Sequence, residues 1–283
     1  MGIKIAVWQE QLIESLGSVG IVTDTFISGT FFLLKFKDSG QLVLNLISIE
    51  NEVTAEGLVQ LQKEYQALDI QLIQLWEDIW INRPLQVLSR IYSMLGKNRT
   101  VHGRKTKVVA LTQAEADRFF ELNHLQSSAK ARHKYALTLE GEIVAAATFS
   151  AKRKMTRKSA GYTSVELIRF ATAEGITVQG GLSKLIRHMI RTVLPNDVMT
   201  YADLDWSYGK GYAKLGFELA EQTPPAEIWL ENRSKVRYFP HRLPEEIRTV
   251  ISTMTPAETR AYLAPLNYNR IFNTGNLKYI LYL

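Results

Sequence analysis

Asp203 and Asp205, in the segment YADLDWS, are carboxylates two positions apart, and on a strand that spacing puts both on one face. Carboxylates held together raise one another's affinity for a proton, which makes a general base, or they bind a cation. The same placement equally suits Asp205, or Ser207 in its stead, to cap the helix that follows. Glu166 and Arg169, in SVELIRFAT, are three apart, so on a regular strand they face opposite sides. Glu166 suits proton abstraction from an amine, or a structural salt bridge. His124, in ELNHLQ, ends a helical pattern, where it is either a C-terminal cap or a polar group directed at a cleft. In TVQGGLSKLIRHMIRTVLP, Gly180 and Gly181 stand directly before an amphipathic helix. The first amides of a helix lack intrahelical partners and lie at the positive end of its dipole. Val178, Gln179, Gly180, Gly181, Ser183 and Lys184 are therefore a candidate phosphate-binding turn, although two glycines also make a bare turn. Arg187 and His188 read as solvent-facing.

The cations are unevenly placed. Residues 1–96 carry 6 Lys and Arg against 11 Asp and Glu, residues 97–158 carry 14 against 5, and residues 159–283 carry 14 against 12. The runs KNRTVHGRKTK, KARHK and KRKMTRK make up most of the basic block, which points to an anionic partner. Arg104, Lys105, Lys152, Arg153, Lys154, Arg157 and Lys158 are candidate contacts to nucleic-acid phosphates, giving salt-dependent binding of low sequence selectivity. Tyr162, Trp206 and Tyr208 are candidates to stack a displaced base, or else core and rim aromatics. The competing reading of the block is a solvated lysine surface.

Other chemistries are excluded by what the chain lacks. Without cysteine there is no disulfide, thiolate nucleophile or Cys-ligated zinc, and the 5 histidines are scattered, so no metal site is expected. A composition 46% apolar and 22% charged can bury a core. The opening MGIKIAVWQEQLIESLG places Glu10 and Glu14 where a signal peptide needs an apolar run. No segment approaches the roughly 18 apolar residues of a membrane span. A reducing cytoplasm and no membrane partner are the expectation.

The elements that must hold these groups read as α/β. WQEQLIESLGSVG has helical spacing, TFFLLKFKDSGQLVLNLISI turns as a hairpin at Asp38-Ser39-Gly40, and TAEGLVQLQKEYQAL is a helix opened by Thr54. DIQLIQLWED is a strand ending in Glu77 and Asp78, and RPLQVLSRIYSMLG is a helix with Pro84 at its start. The polar, basic stretch near 97–103 marks a boundary, giving domains 1–98 and 99–283. The second domain begins with TKVVAL and a helix carrying a Thr112 and Glu115 capping box. A hairpin at Glu140-Gly141, the strand SVELIRFATA, the glycine helix and the strand DVMTYADLD follow. SYGKGYAKLGFELA is a short helix leading into a strand, and TPPAEIWLENRSKVRYF closes the sheet. The tail from Pro244 holds a helix and NYNRIFNTGNLKYILYL.

The order strand, glycine turn, helix, strand, short helix with YAKLGF, strand resembles the GNAT acyltransferase superfamily. The resemblance implies a mixed-sheet domain in which ELIRFATA splays from VMTYADLD and the glycine turn takes the pyrophosphate of coenzyme A. It implies acyl-coenzyme A as cofactor, and Tyr212 of GYAKLGF as the group that protonates the leaving thiolate. The family's turn reads Gln/Arg-x-x-Gly-x-Gly/Ala. Here Val178, Gly181 and Ser183 occupy those places, and Gln179 comes one residue late.

The phrases IQLIQLWEDIW, LSRIYSMLG, ELNHLQ, VELIRFATAEGITVQGGLSKLI, TYADLDWSYGKGYAKLGF and NRIFNTGNLKYIL together resemble a phage-type family. Its members join a nuclease-like N-terminal part, similar to very-short-patch-repair and homing endonucleases, to a GNAT-like C-terminal part. Such a nuclease carries metal-binding acids on both strands of a hairpin. Here the hairpin has only Asp38, in the turn, and Glu50, at its far end, with Asn45 at a place open to a ligand. The resemblance therefore implies an inactive nuclease part. The resulting expectation is a group-transfer enzyme acting on nucleic acid, with an exocyclic amine of a base as acceptor. Two readings stay open beside it: an N-acyltransferase for a small amine or protein lysine, and a non-catalytic nucleic-acid-binding protein in which both enzymatic parts have decayed.

Overall fold

The computed structural model describes residues 5–155 and 159–283, so Arg157 and Lys158 lie outside the described residues. The chain opens with α1 (Val7–Ser18), β1 (Thr23–Ser28), β2 (Phe31–Phe36) and β3 (Ser39–Ile47). Next is α2 (Ala55–Ala67), where the Thr54 hydroxyl accepts from the Gly57 amide at 3.0 Å, as the cap reading requires. β4 (Gln71–Trp76) runs straight into α3 (Glu77–Asn82), so Glu77 and Asp78 open a helix rather than trail a strand. After α4 (Pro84–Met94), β5 (Arg99–His102) and β6 (Lys107–Ala110) comes α5 (Gln113–Asn123), with its capping box formed. Then follow β7 (His133–Leu139), β8 (Glu142–Phe149), β9 (Arg153–Lys154), β10 (Thr163–Thr172), β11 (Ile176–Gln179), α6 (Gly181–Val193) and β12 (Asp197–Asp203). The remainder is α7 (Lys210–Ala213), β13 (Glu218–Gln222), β14 (Ala226–Glu231), β15 (Val236–Tyr238), α8 (Glu245–Ile251), α9 (Pro256–Leu263), β16 (Tyr268–Asn273) and β17 (Asn276–Tyr282). The class is α/β, as expected.

Two compact units share this chain, and both are discontinuous in sequence. One holds Met1–Asn82, Asp203–Tyr208 and Thr223–Asn276; the other holds Arg83–Ala202, Gly209–Gln222 and Leu277–Leu283. A single cut near residue 98 does not describe that division. β14 and β16 pair antiparallel, and Ile228, Leu230 and Ile271 pack with Ile47, Ile49, Leu58 and Trp76. Burying those side chains puts 223–276 with the first 82 residues.

In the first unit the strands run β1-β2-β3-β4, with β3 and β4 parallel across the α2 connection. Asn45 lies opposite Gln74 in that pair and donates to its side-chain oxygen at 2.8 Å, and Gln74 donates onward to the Leu58 carbonyl at 3.2 Å. Asn45 is thus part of a satisfied buried network. TPPAEIWLENRSKVRYF, expected to close the second domain's sheet, forms β14 and β15 of a separate sheet ordered β15-β14-β16.

The sheet of the second unit runs β13-β17-β12-β10-β8-β7-β6, with β9 beside β10. The strand between β13 and β12 is β17, from the tail. Alanines at 136, 146 and 171 leave room for Phe119 and Phe120 of α5 on one face. β10 pairs with β12 in parallel only from Ser164–Leu167 to Asp197–Thr200, although both strands run on. A bulge in β10 shifts its register against β8 between Leu167 and Arg169.

Gly209 has φ +69° and precedes α7, and a Cβ built there would lie 2.3 Å from the Tyr279 ring. That ring packs against Tyr212 with centroids 5.7 Å apart. Gly209→Ala is expected to cost about 2–4 kcal/mol, from left-handed strain and a displaced ring. Denaturant unfolding measures it, and a loss under 0.5 kcal/mol would show that the ring moves freely.

Candidate functional site

The bulge changes which side chains of β10 share a face. Leu167 pairs with Phe149 and Arg169 with Thr148, so Arg169 points opposite to Leu167 and to the same side as Glu166. The regular-strand expectation of opposite faces fails because one extra residue reverses the alternation. Glu166 is half-buried and lies 3.6 Å from Arg153, which β9 brings alongside. Its amide donates to the Ser150 hydroxyl at 3.0 Å, and the Ser150 amide donates to its carbonyl at 2.9 Å. A candidate base and a candidate nucleic-acid contact thus form one ion pair.

Ala171 and Ala146 belong to the core under α5, so the face that carries Thr148 and Arg169 is the α5 face. His124 ends α5 in an extended conformation, its amide bonded to the Phe120 carbonyl at 2.9 Å. Its Nδ1 lies 3.0 Å from both the Gln126 carbonyl oxygen, to which it donates when protonated, and the Gln126 amide, from which it accepts when neutral. Burial, and then the charge of Arg169, with those of Arg90 and Arg83 adding, push its pKa down to about 4 despite the hydrogen bond open to it at the Gln126 carbonyl. His124 is therefore a neutral imidazole near pH 7, and no cationic helix cap. Arg83, just before α4, and Gln86 of α4 cap that helix instead, through the carbonyls of Glu121 and Leu122.

The glycine turn is built against the basic segment. Val178 faces inward and Gln179 outward, and β11 pairs in parallel with β5. A Cβ on Gly181 would lie 2.9 Å from Val178 Cγ1, and one on Gly103 would lie 3.0 Å from the Gln179 carbonyl oxygen. Gly180 has φ +73°, no side chain caps α6, and its first helical hydrogen bond runs from Lys184 N to Gly180 O at 3.0 Å. The amides before Lys184 thus have no acceptor within the helix. The Lys184 ammonium donates to the Gly103 carbonyl at 3.0 Å and to the Thr106 carbonyl. That lysine braces the turn. Ser183 instead accepts from Arg187, 3.1 Å from its Nε. Arg187 is exposed, as expected, and the i, i+4 spacing lets it reach back to Ser183. His188, expected to face solvent, is instead half-buried and meets the Tyr135 ring edge-on at 4.6 Å between centroids.

Tyr212 sits where the strands part. Its hydroxyl is hydrogen-bonded with Thr200, the last β12 residue paired with β10, and Thr200 donates to the Leu167 carbonyl at 3.0 Å. Burial raises its pKa above the ordinary phenol value, so it stays protonated. Arg104, Lys105 and Lys154 are exposed, and Lys152 donates to the Leu194 carbonyl at 2.9 Å. Trp206 is buried, which removes it as a stacking platform.

Asp203 and Asp205 fall in the first unit, whereas Glu166, Tyr212, His124 and the glycine turn fall in the second. Asp205 is 3% exposed and accepts from the Thr274 amide at 2.9 Å and hydroxyl at 2.7 Å. Its amide donates to Asp203 at 3.0 Å, while its carbonyl accepts from Gln74 at 2.9 Å. It caps no helix, because the N-cap of α7 is Gly209 and that helix has no side-chain cap. Asp78, 1% exposed, is held by Arg237 at 2.6 and 2.8 Å. Among the described residues no group of three or more His, Asp or Glu is placed to hold a metal.

Burial, then the charge of Asp203, push the pKa of Asp205 up to about 7, against hydrogen bonds from Thr274 and the charge of Arg237. An unfolded aspartate releases its proton near 4, so between about pH 4 and 7 the folded chain keeps a proton that the unfolded chain has lost. Stability from this group is full below that window and falls as pH rises through it. Asp205→Asn keeps the acceptor for Thr274 and is expected to flatten that part of the profile. Denaturant unfolding of both proteins at pH 4.5 and 7.5 isolates the difference, and an unchanged slope would assign the titration elsewhere.

No family model matches the chain, and no curated protein is found similar to it. Solved structures similar to it include a GNAT family acetyltransferase from Elizabethkingia anophelis with acetyl-CoA bound, 12% identical, covering 63% of this chain and 99% of that one at a TM-score of 0.33. An acetyltransferase from Bacillus subtilis in complex with CoA is 12% identical over 63% and 99%, at 0.38. The ribosomal-protein-S18-alanine N-acetyltransferase from Escherichia coli is 13% identical over 62% and 93%, at 0.35.

Proposed function

We propose that the chain is a GNAT-type acyltransferase that moves an acyl group from coenzyme A to an amine of a nucleic-acid acceptor. The observation that carries this reading is the parting of β10 from β12 after Leu167 and Thr200, with Glu166 and Tyr212 at the parting point. A splayed pair exposes backbone groups and makes a cleft, and an uncapped helix follows in the same unit.

The residues present fit coenzyme A. Its pyrophosphate is taken by the free amides of α6 from Gly180 to Ser183, over which the two glycines place no side chain. Arg187, held toward the start of α6 by Ser183, supplies the cation for which the family uses the Gln or Arg missing at Val178. Gln179 is the exposed side chain beside it, and Lys184 holds the turn in shape. When bound, coenzyme A supplies the acyl group as a thioester open to attack by an amine. Glu166 takes the proton that the acceptor nitrogen gives up as it bonds to the acyl carbon. Tyr212 gives its proton to the sulfur as the carbon–sulfur bond breaks.

The exposed Arg104, Lys105, Arg153 and Lys154, with Lys152, favour a polyanionic acceptor. The first unit serves as a nuclease-like scaffold without catalysis, since Asn45 and Asp78 are committed to Gln74 and Arg237. The burial of Val178 and the commitment of Lys184 favour a second reading, nucleic-acid binding without acyl transfer.

Acetyl-coenzyme A at 100 times its Kd is expected to stabilise the protein by about 2.7 kcal/mol, read as a thermal shift. Glu166→Gln and Tyr212→Phe are expected to keep that shift and lower acetylation of an oligonucleotide, followed by nucleoside mass spectrometry, by about 10²–10⁴-fold. Absence of any shift, alongside oligonucleotide binding with a steep salt slope, would remove the acyltransferase and leave the second reading.

A further inference from the structure

Three strands of the second unit place a row of polar side chains across the α5 face. Lys134 of β7 pairs with Thr148 of β8, and Thr148 pairs with Arg169 of β10. Paired residues in antiparallel strands point to the same side, so the three side chains leave the sheet on one face at neighbouring positions. Thr148 is 1% exposed, and its hydroxyl has no hydrogen-bond partner among the described residues. A buried donor left unmade costs stability, so its retention needs an explanation.

The cation beside it is also unmatched. Arg169 is partly buried and donates to the Ser127 and Ile168 carbonyls at 3.3 and 2.9 Å. Burial lowers its pKa, opposed by the charge of Glu166, yet no ion pair joins it to a carboxylate among the described residues. Lys134 donates to the Ala131 carbonyl at 2.9 Å. The acids nearby are otherwise committed: Glu121 to Arg83, Asp117 to Ser128 and Gln113, and Glu166 to Arg153. His124 stays neutral, so it neither repels a further cation nor competes for an anion.

We propose that Arg169, Thr148 and Lys134 form a phosphate subsite, holding the phosphate of the acceptor nucleotide on the same strand face as Glu166. This rests on the acyl-transfer reading above for what the nucleotide is there to do. A guanidinium, a hydroxyl and an ammonium together supply charge-assisted donors to several phosphate oxygens. The phosphate would supply the counter-charge that Arg169 lacks and an acceptor for the Thr148 hydroxyl. Such a subsite sets the position of the acceptor; proton removal stays with Glu166.

The test measures binding of dAMP, deoxyadenosine and inorganic phosphate by calorimetry to the full chain and to Arg169→Gln, Arg169→Lys and Thr148→Val, with acetyl-coenzyme A as the control ligand. dAMP is expected to bind wild type at least about tenfold tighter than either deoxyadenosine or inorganic phosphate. Arg169→Gln and the near-isosteric Thr148→Val are each expected to lose about tenfold or more for dAMP, with Arg169→Lys retaining part of it. In NMR titrations dAMP is expected to raise the pKa of His124 in wild type and to leave it unmoved in Arg169→Gln. Unchanged dAMP affinity in Thr148→Val and Arg169→Gln, or equal binding of dAMP and deoxyadenosine by wild type, would overturn the subsite while acetyl-coenzyme A binding could persist. Loss of acetyl-coenzyme A binding with intact Arg169-dependent dAMP binding would overturn the acyl-transfer reading and leave the subsite standing.

Discussion

β10 and β12 share backbone hydrogen bonds over four paired positions and then separate, and the candidate chemistry of the second unit hangs on that separation. A parallel pair buried in a sheet normally continues as far as both strands run, because each lost rung leaves a donor and an acceptor to be satisfied elsewhere. Here the bulge after Leu167 turns β10 aside, and Thr200 uses its hydroxyl to bond the Leu167 carbonyl at the last paired level. Tyr212 joins that bond from outside the ladder. The same bulge sets Glu166 and Arg169 on one face. One inserted residue thus opens the sheet and selects which side chains face the opening.

Much of this was legible in the sequence, and the failures are instructive. The Thr54 and Thr112 caps, the hairpins at Asp38 and Glu140 and the glycine-started α6 each follow from local side-chain chemistry, and local chemistry is what periodicity and capping report. The bulge was not legible, because SVELIRFAT reads as an unbroken strand whichever register its neighbour takes. β17 was not assigned to the sheet, since nothing in NLKYILYL names its partners. Asp203 and Asp205 are close together, but Asp205 lies in the turn past β12 and shares no strand face with Asp203. The commitment of Asp205 to Thr274 depends on a residue 69 positions away and is set only by tertiary packing. Lys184 looked like a phosphate ligand from its place in the first turn, while the carbonyls that take it come from Gly103 and Thr106.

The first unit follows a different economy. Several of its buried polar groups are matched in pairs: Asn45 with Gln74, Asp78 with Arg237, Asp205 with Thr274. Each matched pair helps to specify one arrangement of the strands. The second unit retains an unmatched hydroxyl at Thr148 and a guanidinium without a carboxylate at Arg169, both on the side that carries Glu166.

β17 reaches its place between β13 and β12 only after the chain has supplied residues 223–276 to the other unit. A ribosome therefore delivers every other strand of the larger sheet well before the one that joins β13 to the rest. Until then β12 presents an unpaired edge, the kind of surface that invites association between nascent chains. Pairings so distant in sequence also carry a high loop-closure cost, which slows folding. The interleaved order of the segments makes the last strand a lock. The sheet that carries the candidate site stays incomplete until the stretch belonging to the other unit has been made, so synthesis itself withholds the finished site until both units can exist.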